Sequence, residues 1–329
     1  MDSVSTTPVR TGASSAGDPA PGPGPLDALA RLVTSPRALR RWAVASLVAN
    51  IGIVVTGALV RLTSSGMGCP TWPRCTEDSY VSHPSLGIHG AIEFGNRLLT
   101  FVLVIIAVLT WVSAMLHRDG GRKRRDLRWI AAGLALGIPA QAVIGGISVW
   151  THLNPFVVAL HLMVSMVLIG LSTWLVRRSR GLRQQPAPRT GVLAAQATLV
   201  LMAVAVWLGT VVTGSGPHAG DLEAVRTGYD GAFVTHLHAV AVYATVAANL
   251  VALWVLRSRA ALLVLAVVAL QAVIGIAQYN LGLPVGLVLL HLLGASLAVA
   301  ASTNLFLTVR RAPTTTPVVV DGVRTAQGG

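Results

Sequence analysis

Two histidines, His161 and His291, lie 130 positions apart in segments that repeat one another. Gln-Ala-Val-Ile-Gly occupies both 141–145 and 271–275, and Leu-His-Leu occupies both 160–162 and 290–292. Motifs that recur at one displacement without a gap are typical of a duplicated membrane protein with paired sites. Because imidazole is a common ligand of haem iron, both histidines are predicted to bind iron, one in each half.

The composition places these histidines in a membrane. The chain has 329 residues, of which 53% are hydrophobic and 11% charged, and its mean hydropathy is +0.67. Apolar runs of about 18 or more residues mark membrane-spanning helices. The sequence therefore predicts an all-α polytopic membrane protein with eight transmembrane helices, arranged as two pseudo-symmetric four-helix bundles. The predicted spans are 42–60, 88–116, 129–150, 155–176, 191–213, 232–256, 260–280 and 284–309.

The positive charges predict the orientation of the chain. The formal net charge is +13, and the 25 Lys and Arg residues are unevenly distributed among the loops. All but four of them fall on one side of the predicted spans, which by the positive-inside rule puts both termini in the cytoplasm. The distribution favours a topology signal over a nucleic-acid surface. The four basic residues left for the outer side are Arg61, Arg74, Arg97 and Arg226.

The same patterns divide the chain into four parts. Residues 1–40 and 312–329 are predicted to be disordered cytoplasmic tails, because Pro, Gly, Ser and Thr dominate them and no signal-peptide apolar region is present. Residues 41–180 and 181–311 form the two four-helix halves. Because each half holds an even number of spans, the halves should be related by an axis along the membrane normal.

The second predicted span begins with a polar cluster. His89, Glu93, Asn96 and Arg97 fall at helical spacing on one face. Glu93 is the only acidic residue within a predicted span, where a carboxylate costs about 2.5–3.5 kcal/mol. It either forms a structural pair with Arg97 or serves as a site carboxylate, and we favour the second interpretation.

The sixth predicted span begins with His236 and His238. Two positions on a helix differ by about 200°, so at most one of them can face a shared site. Aligning the polar clusters of the even spans puts His238 opposite Asn96, so His238 is preferred and His236 remains the alternative. His238 and His291 together would form a bis-imidazole haem b site, which is suited to electron transfer.

The loop after the first span contains the two cysteines of the chain, Cys69 and Cys75. They face the oxidising side of the membrane in the predicted topology, so a disulfide is expected. Exposed disulfides that close short loops tend to be labile or redox-active. Gln141 and Gln271 are expected to form hydrogen bonds between helices, although they could also line the two sites.

Two motifs resemble the haem A synthase family, and the chain is similar to a bacterial member of actinobacterial type. They are Gly-Ala-Leu-Val-Arg-Leu-Thr-Ser-Ser-Gly-Met-Gly-Cys-Pro-Thr-Trp-Pro-Arg-Cys at 57–75 and Ile-Glu-Phe-Gly-Asn-Arg at 92–97. The resemblance covers about residues 40–310 in the same order. It implies conversion of haem O to haem A, by two successive hydroxylations of a porphyrin methyl group to a hydrated aldehyde that loses water.

The resemblance also implies roles for single residues. It puts the haem b ligands at His238 and His291, the substrate-haem ligand at His161, the site glutamate at Glu93 and the loop cysteine pair at Cys69 and Cys75. The expected catalytic residues are therefore Glu93, Cys69 and Cys75, and the expected cofactor-binding residues are Arg61, Arg97, Asn96 and His89. Asn96 stands where the family more commonly has a second histidine. Either His161 alone holds the substrate iron, with Asn96 at most a weak ligand, or His89 substitutes about 10 Å along the helix. We favour the first alternative, a five-coordinate or weakly ligated iron.

Glu93 is expected to stabilise the cationic character that develops at the oxidised methyl carbon, or to accept its proton. Arg61 and Arg97 are candidates to pair with haem propionates. The expected partners are an upstream haem O synthase (a farnesyltransferase), cytochrome oxidase assembly, the lipid bilayer of a bacterial cell membrane, and an electron acceptor that the sequence does not identify. No nucleic-acid partner is expected, and a homo-oligomer is left open.

Two other classes fit the sequence less well. A di-haem b-type cytochrome that exchanges electrons with quinone would explain the histidines, but not Glu93 with Asn96 and the cysteine loop. A duplicated transporter would explain the repeat and the intramembrane carboxylate. Unwound binding sites in transporters need Gly or Pro interruptions, and the single candidate, Pro139, has no counterpart at Ala269.

Overall fold

The computed structural model describes residues 25–35, 37–217, 220–221 and 224–312. Within these residues the chain forms nine α-helices, a short 3-10 turn at Pro84–Leu86 and four short strands. The helices are α1 (Pro25–Thr34), α2 (Ala38–Leu62), α3 (Gly87–Leu116), α4 (Arg125–Trp150), α5 (Pro155–Ser179), α6 (Arg189–Ser215), α7 (Gly231–Leu256), α8 (Arg259–Asn280) and α9 (Val285–Phe306). The strands are β1 (Arg118–Asp119), β2 (Arg122–Lys123), β3 (Gln185–Ala187) and β4 (Val309–Arg311).

Helices α2 to α9 are the eight elements of the described chain that are long and apolar enough to cross a membrane. Each matches one of the eight predicted spans, and the ends differ by a few residues. The prediction of an all-α polytopic membrane protein is therefore confirmed. Long apolar runs predict spans well because a helix satisfies every backbone polar group within its own segment, as the bilayer interior requires.

Short polar signals set the helix ends. The Asn154 side chain accepts a hydrogen bond from the Phe156 amide, and Pro155 occupies the first helical position of α5. Asp230 accepts from the Phe233 amide at the start of α7, and Ser258 accepts from the Ala261 amide at the start of α8. Such caps satisfy amide groups that have no partner within the helix.

Each half closes into a ring of four helices. In the first half, α2 packs on α3, α3 on α4, α4 on α5, and α5 returns to α2. In the second half, α6, α7, α8 and α9 follow the same order of pairings, and α9 returns to α6. Helices α2 and α5 of the first half also contact α9. The two rings therefore meet along α2, α5, α6 and α9, and the predicted symmetry axis stays a prediction.

The interior of the bundle is built from small and aliphatic side chains with interspersed hydroxyls. Buried residues include Ala43, Ala131, Thr110, Thr198 and Thr245. Large apolar side chains such as Trp129 and Trp254 point outwards and are 73% and 75% exposed in the isolated chain. This distribution is the one expected where lipid covers the outside and helix contacts depend on close backbone approach.

One end of the bundle carries most of the basic loops, and we call it the basic end (residues 117–124, 180–188, 257–258 and 307–312). Strands β3 and β4 pair there in parallel, joining the segment before α6 to the segment after α9. Asp126 pairs with Arg124 at 2.9 Å and with Arg178 at 2.6 Å, and Arg40 donates to the Ser179 carbonyl. The strands were not predicted, because pairs of two or three residues depend on contacts between distant segments.

The structure places helices within the predicted disordered tail over 1–40, from residue 25 onward. Residues 25–34 form α1, and α2 already begins at Ala38. Helix α1 packs against α2 and α3, and the Trp42 indole donates to the Leu32 carbonyl at 2.7 Å. The composition of this segment did not indicate that it would pack as a helix on the bundle. The rest of this predicted tail up to residue 24, and the second tail from residue 313 onward, lie outside the described residues.

Candidate functional site

His238 of α7 and His291 of α9 face one another inside the second half. Their ring centres are 6.4 Å apart and their planes are inclined by 72°. An imidazole nitrogen lies about 2 Å from a metal ion that it binds, so two rings on opposite sides of one ion have centres roughly 6 Å apart. The spacing therefore fits a pair of axial ligands to one haem iron.

The hydrogen bonds of His236 and His238 agree with the orientation in which His238 faces His291. The Nδ1 atom of His238 is 2.8 Å from the Ala205 carbonyl of α6, which leaves Nε2 for a ligand. His236 is exposed, and its Nδ1 is 2.7 Å from the Ala232 carbonyl of its own helix. The geometry favours the predicted choice of His238 over His236.

A glycine lies under each of the three candidate ligands. A Cβ atom built at Gly209 would lie 3.3 Å from Cε1 of His238, and one at Gly275 would lie 3.4 Å from Cε1 of His291. Gly145 stands in the same relation to His161, at 3.3 Å. The Gly145–His161 and Gly275–His291 pairs belong to the 130-residue repeat. In both copies the imidazole packs against the neighbouring helix at a position that has no side chain.

His161 lies in the first half between α4 and α5. Gln141 of α4 donates to the His161 carbonyl at 2.9 Å and to the Ser165 hydroxyl, so its expected bond between helices is present. The Nδ1 atoms of His161 and His291 are buried and find no hydrogen-bond partner within the described part of the chain. A buried nitrogen left without a partner costs about 1–3 kcal/mol, so these rings are not explained by the protein's own hydrogen bonds.

The expected disulfide between Cys69 and Cys75 is present. The two cysteines are 0% and 1% exposed, so the expectation of an exposed bond is wrong. The short loop folds against α3 and buries its sulfur atoms there. We call residues 69–75 the disulfide loop.

Glu93 and Arg97 of α3 hold this loop. Glu93 is 6% exposed; its Oε2 accepts from the Cys69 amide at 2.7 Å, and its Oε1 accepts from Arg97 at 2.5 Å. Arg97 also donates to three loop carbonyls, at 3.0 Å to Cys69, 2.9 Å to Thr71 and 3.0 Å to Arg74. The predicted Glu93–Arg97 pair exists, and it anchors the disulfide loop on the helix.

Trp72, at the centre of the loop, reaches α4. Its ring packs on Gly146, where a Cβ atom would overlap the indole, and its centre lies 5.3 Å from that of Trp150. The Trp150 indole donates to the Trp72 carbonyl at 3.1 Å. The His161 ring packs on Gly145 and the Trp72 ring packs on the adjacent Gly146. The disulfide loop and the candidate substrate ligand therefore contact the same turn of α4.

The remaining predicted site residues are spread around the same end of the bundle. Arg61 donates to the Thr213 carbonyl at 3.2 Å and so links α2 to the end of α6. The exposed His89 lies 3.0 Å from the Ser65 hydroxyl through Nδ1. Asn96 accepts from the Thr56 hydroxyl at 2.8 Å. Loops of the two halves also meet here, since the Gly66 amide donates to the Gly220 carbonyl at 2.9 Å.

The chain matches the model of the COX15-CtaA family, described as cytochrome oxidase assembly protein, over residues 40–85 and 88–303. The chain belongs to this family. The match to cytochrome oxidase assembly proteins includes the three candidate ligands, Glu93 and the disulfide loop.

Several proteins similar to this member of the cytochrome oxidase assembly family are named heme A synthase. Three proteins called heme A synthase are similar to it: one from Geobacillus thermodenitrificans, 31% identical over 140 residues, one from Lysinibacillus sphaericus, 29% identical over 138 residues, and one from Geobacillus kaustophilus, 29% identical over 154 residues. The aligned segments cover 42%, 41% and 45% of this chain, and 42%, 43% and 45% of the relatives. The chain thus spans less than half the length of the curated relatives it matches.

Proposed function

We propose that this protein is a haem A synthase, a membrane oxidoreductase that converts a methyl group of haem O into the formyl group of haem A. The observation that carries the proposal is the facing pair of His238 and His291, together with a third histidine, His161, on its own glycine in the other half. The names of the relatives support the same activity. Two successive hydroxylations to a hydrated aldehyde, followed by loss of water, belong to the proposal.

In the second half, His238 and His291 would hold haem b. When bound, haem b would supply a one-electron couple that relays electrons from the reaction. The Ala205 carbonyl fixes the orientation of the His238 ring, and Gly209 and Gly275 leave room for the two imidazoles. Partners of this kind usually matter almost as much as the ligands themselves.

In the first half, His161 would bind the iron of the substrate. Two observations support His161 as its single ligand from the protein. Asn96 is engaged by Thr56, and His89 is bound to Ser65 on an exposed surface. Glu93 would stabilise positive charge at the oxidised methyl carbon or accept its proton, and Cys69 and Cys75 would keep the loop beside it in place.

Arg61 and Arg97 stay proposed partners of the haem propionates. Arg97 already directs its donors to Glu93 and to three loop carbonyls. A propionate would have to replace one of these acceptors. The contacts support a second role for Arg97, which is to hold the disulfide loop over α3.

The cellular setting follows from the proposed reaction and from the charge pattern. The protein would lie in a bacterial cell membrane with both termini in the cytoplasm, and residues 41–180 and 181–311 would form the substrate half and the haem b half. A haem O synthase would supply the substrate, and the product would serve cytochrome oxidase assembly. An electron acceptor must complete the reaction, and a homo-oligomer is compatible with the proposal.

The haem carried by the purified protein tests the proposed function. The full chain is expressed together with a haem O supply, its haem is extracted, and the extract is identified by mass. A haem A synthase is expected to yield haem b together with haem O, haem A or hydroxylated intermediates. Haem b alone would instead indicate a di-haem cytochrome, and a colourless protein would favour the transporter.

Larger side chains at the glycines that contact His238 and His291 should weaken haem b binding. Gly209→Val and Gly275→Val add side chains that push His238 or His291 from its position, because a Cβ atom alone would approach each ring to 3.3 or 3.4 Å. Haem b retention is expected to fall about tenfold, as for other changes to the supports of metal ligands. Gly52→Val is the matched control, since nothing lies within 4 Å of a Cβ atom there. Equal haem b content in all three variants, measured from reduced-minus-oxidised spectra, would contradict the assignment.

A further inference from the structure

A cavity of about 720 Å³ lies between α1 and the beginning of α2. It is remote in the sequence from the histidines and from the disulfide loop. The lining includes three arginines, Arg31, Arg37 and Arg41, and the apolar side chains of Leu32, Trp42 and Ala45. The three arginines are exposed, so the space is an open groove at the surface, and it is larger than a single inorganic anion needs.

The three arginines bring concentrated positive charge to this cavity. Arg31 comes from α1, and Arg37 and Arg41 are one turn apart at the start of α2. None of the ion pairs found among the described residues includes any of the three. By contrast, Arg40 on the same turn donates to the Ser179 carbonyl. Within the described part of the chain no carboxylate pairs with these arginines, and a phosphate group would supply the counter-charge that a guanidinium group prefers.

The walls of the cavity are held in place. The Trp42 indole donates to the Leu32 carbonyl at 2.7 Å and ties α1 to α2. Ala38 and Leu39, next to Arg37, are each 2% exposed and seat the beginning of α2 in the bundle. The first turn of α2 contains no acidic residue, and its amide groups have no side-chain cap. The lack of an acidic residue and of a side-chain cap at the start of α2 adds to the attraction for an anion, although the proposed site does not depend on it.

The position of the cavity indicates the source of the phosphate. Helix α2 is a membrane span, so its first turn lies at a membrane surface, where Trp side chains are also enriched. Basic residues beside a span attract anionic lipids. The apolar side of the cavity, formed by Leu32, Trp42 and Ala45, suits the glycerol and first methylene groups of a lipid.

We propose that this cavity binds the phosphate headgroup of an anionic phospholipid, through Arg31, Arg37 and Arg41. The site lies at the opposite end of α2 from Arg61 and is independent of the haem chemistry. The bound lipid would connect α1 to α2 across the arginines, which repel one another when no anion is present.

Lipid titration of the purified full chain tests the proposal. The protein is delipidated in detergent and titrated with phosphatidylglycerol, phosphatidylcholine or inorganic phosphate, and bound molecules are counted by native mass spectrometry. The variant R31Q/R37Q/R41Q is expected to lose at least about tenfold in phosphatidylglycerol affinity, because three basic contacts are removed. Phosphatidylcholine should bind weakly and equally to both proteins.

The control variant is R118Q/R122Q/K123Q, which removes the same charge from the exposed β1–β2 hairpin. It should keep phosphatidylglycerol affinity within about twofold of the unaltered protein. Equal losses in the two variants would show diffuse surface charge and overturn the proposal. Tight binding of inorganic phosphate that displaces the lipid would overturn the choice of a lipid.

A second variant keeps the test decisive if the glutamine variant does not fold. R31K/R37K/R41K retains all three charges but loses the planar fork that holds two phosphate oxygens. A severalfold weaker affinity for phosphatidylglycerol would support a built headgroup site. Unchanged affinity in this variant would refute binding through the arginine forks.

Discussion

His291→Ala is expected to remove haem b from the purified protein. His291 faces His238 with the ring centres 6.4 Å apart, and its Nδ1 has no hydrogen-bond partner within the described residues. Both observations are expected if the two imidazoles hold haem iron as proposed. Loss of one of the two proposed haem b ligands should lower haem b retention more than about tenfold. A change to a group that only supports a metal ligand already lowers metal affinity about 10–100-fold. The measurement is the reduced-minus-oxidised spectrum per mole of protein.

Two matched variants sharpen this result. His238→Ala should reproduce the loss, because it removes the ligand on the opposite side. His236→Ala should leave the spectrum unchanged, since that side chain is exposed and bonded to its own helix at Ala232. Thermal unfolding of the three proteins reports whether each still folds. An unaltered spectrum in folded His291→Ala would refute the haem b assignment.

Glu93→Gln is expected to abolish haem A formation while spectroscopic haem b remains. The substitution removes a buried negative charge that accepts from the Cys69 amide and from Arg97. Breaking a buried ion pair by removing one partner costs about 3–5 kcal/mol, and the proposed charge stabilisation at the methyl carbon would be lost with it. The proposed haem b ligands, His238 and His291, lie in the other half and are not touched. Mass analysis of extracted haem from cells supplied with haem O measures the outcome.

Arg97→Gln separates the two roles of Glu93. This variant disturbs the same loop contacts at Cys69, Thr71 and Arg74 but leaves the carboxylate in place. If Glu93 acts in the chemistry, Arg97→Gln should keep measurable haem A formation while Glu93→Gln keeps none. Equal losses in two variants that both still retain haem O would assign Glu93 to positioning of the disulfide loop. Loss of bound haem O in Arg97→Gln alone would instead reflect its proposed contact with a propionate. Normal haem A yield from Glu93→Gln would remove Glu93 from the mechanism altogether.

Much of the candidate site could be predicted because its signals lie within single segments. The spacing of Glu93 and Arg97 places them one turn apart on a helix, and the ion pair is present. The repeat around His161 and His291 marked both residues, and each lies beside the glycine of its own copy of the repeated motif. The angle between His236 and His238 showed that only one could face inward, although it did not show which one.

Contacts between distant segments were harder to predict. No sequence pattern indicated that Arg97 donates to three carbonyls of the disulfide loop, or that the two sulfur atoms are buried. The position of Trp72 on Gly146 and Trp150 joins residues about 75 positions apart. Such contacts depend on where neighbouring helices place their ends, which no local pattern specifies.

The amino-acid sequence by itself determined the eight spans, the duplicated histidine segments and the charge asymmetry between loops. These are one-dimensional properties, because helix length in a bilayer and helical periodicity follow from apolar runs and residue spacing alone. Only the tertiary structure decided that His238 rather than His236 meets His291, that the disulfide loop closes over α3 and α4, and that α1 forms an arginine-lined cavity with α2. Each of these depends on the relative rotation and position of packed helices, which arises from the side chains of all of them together.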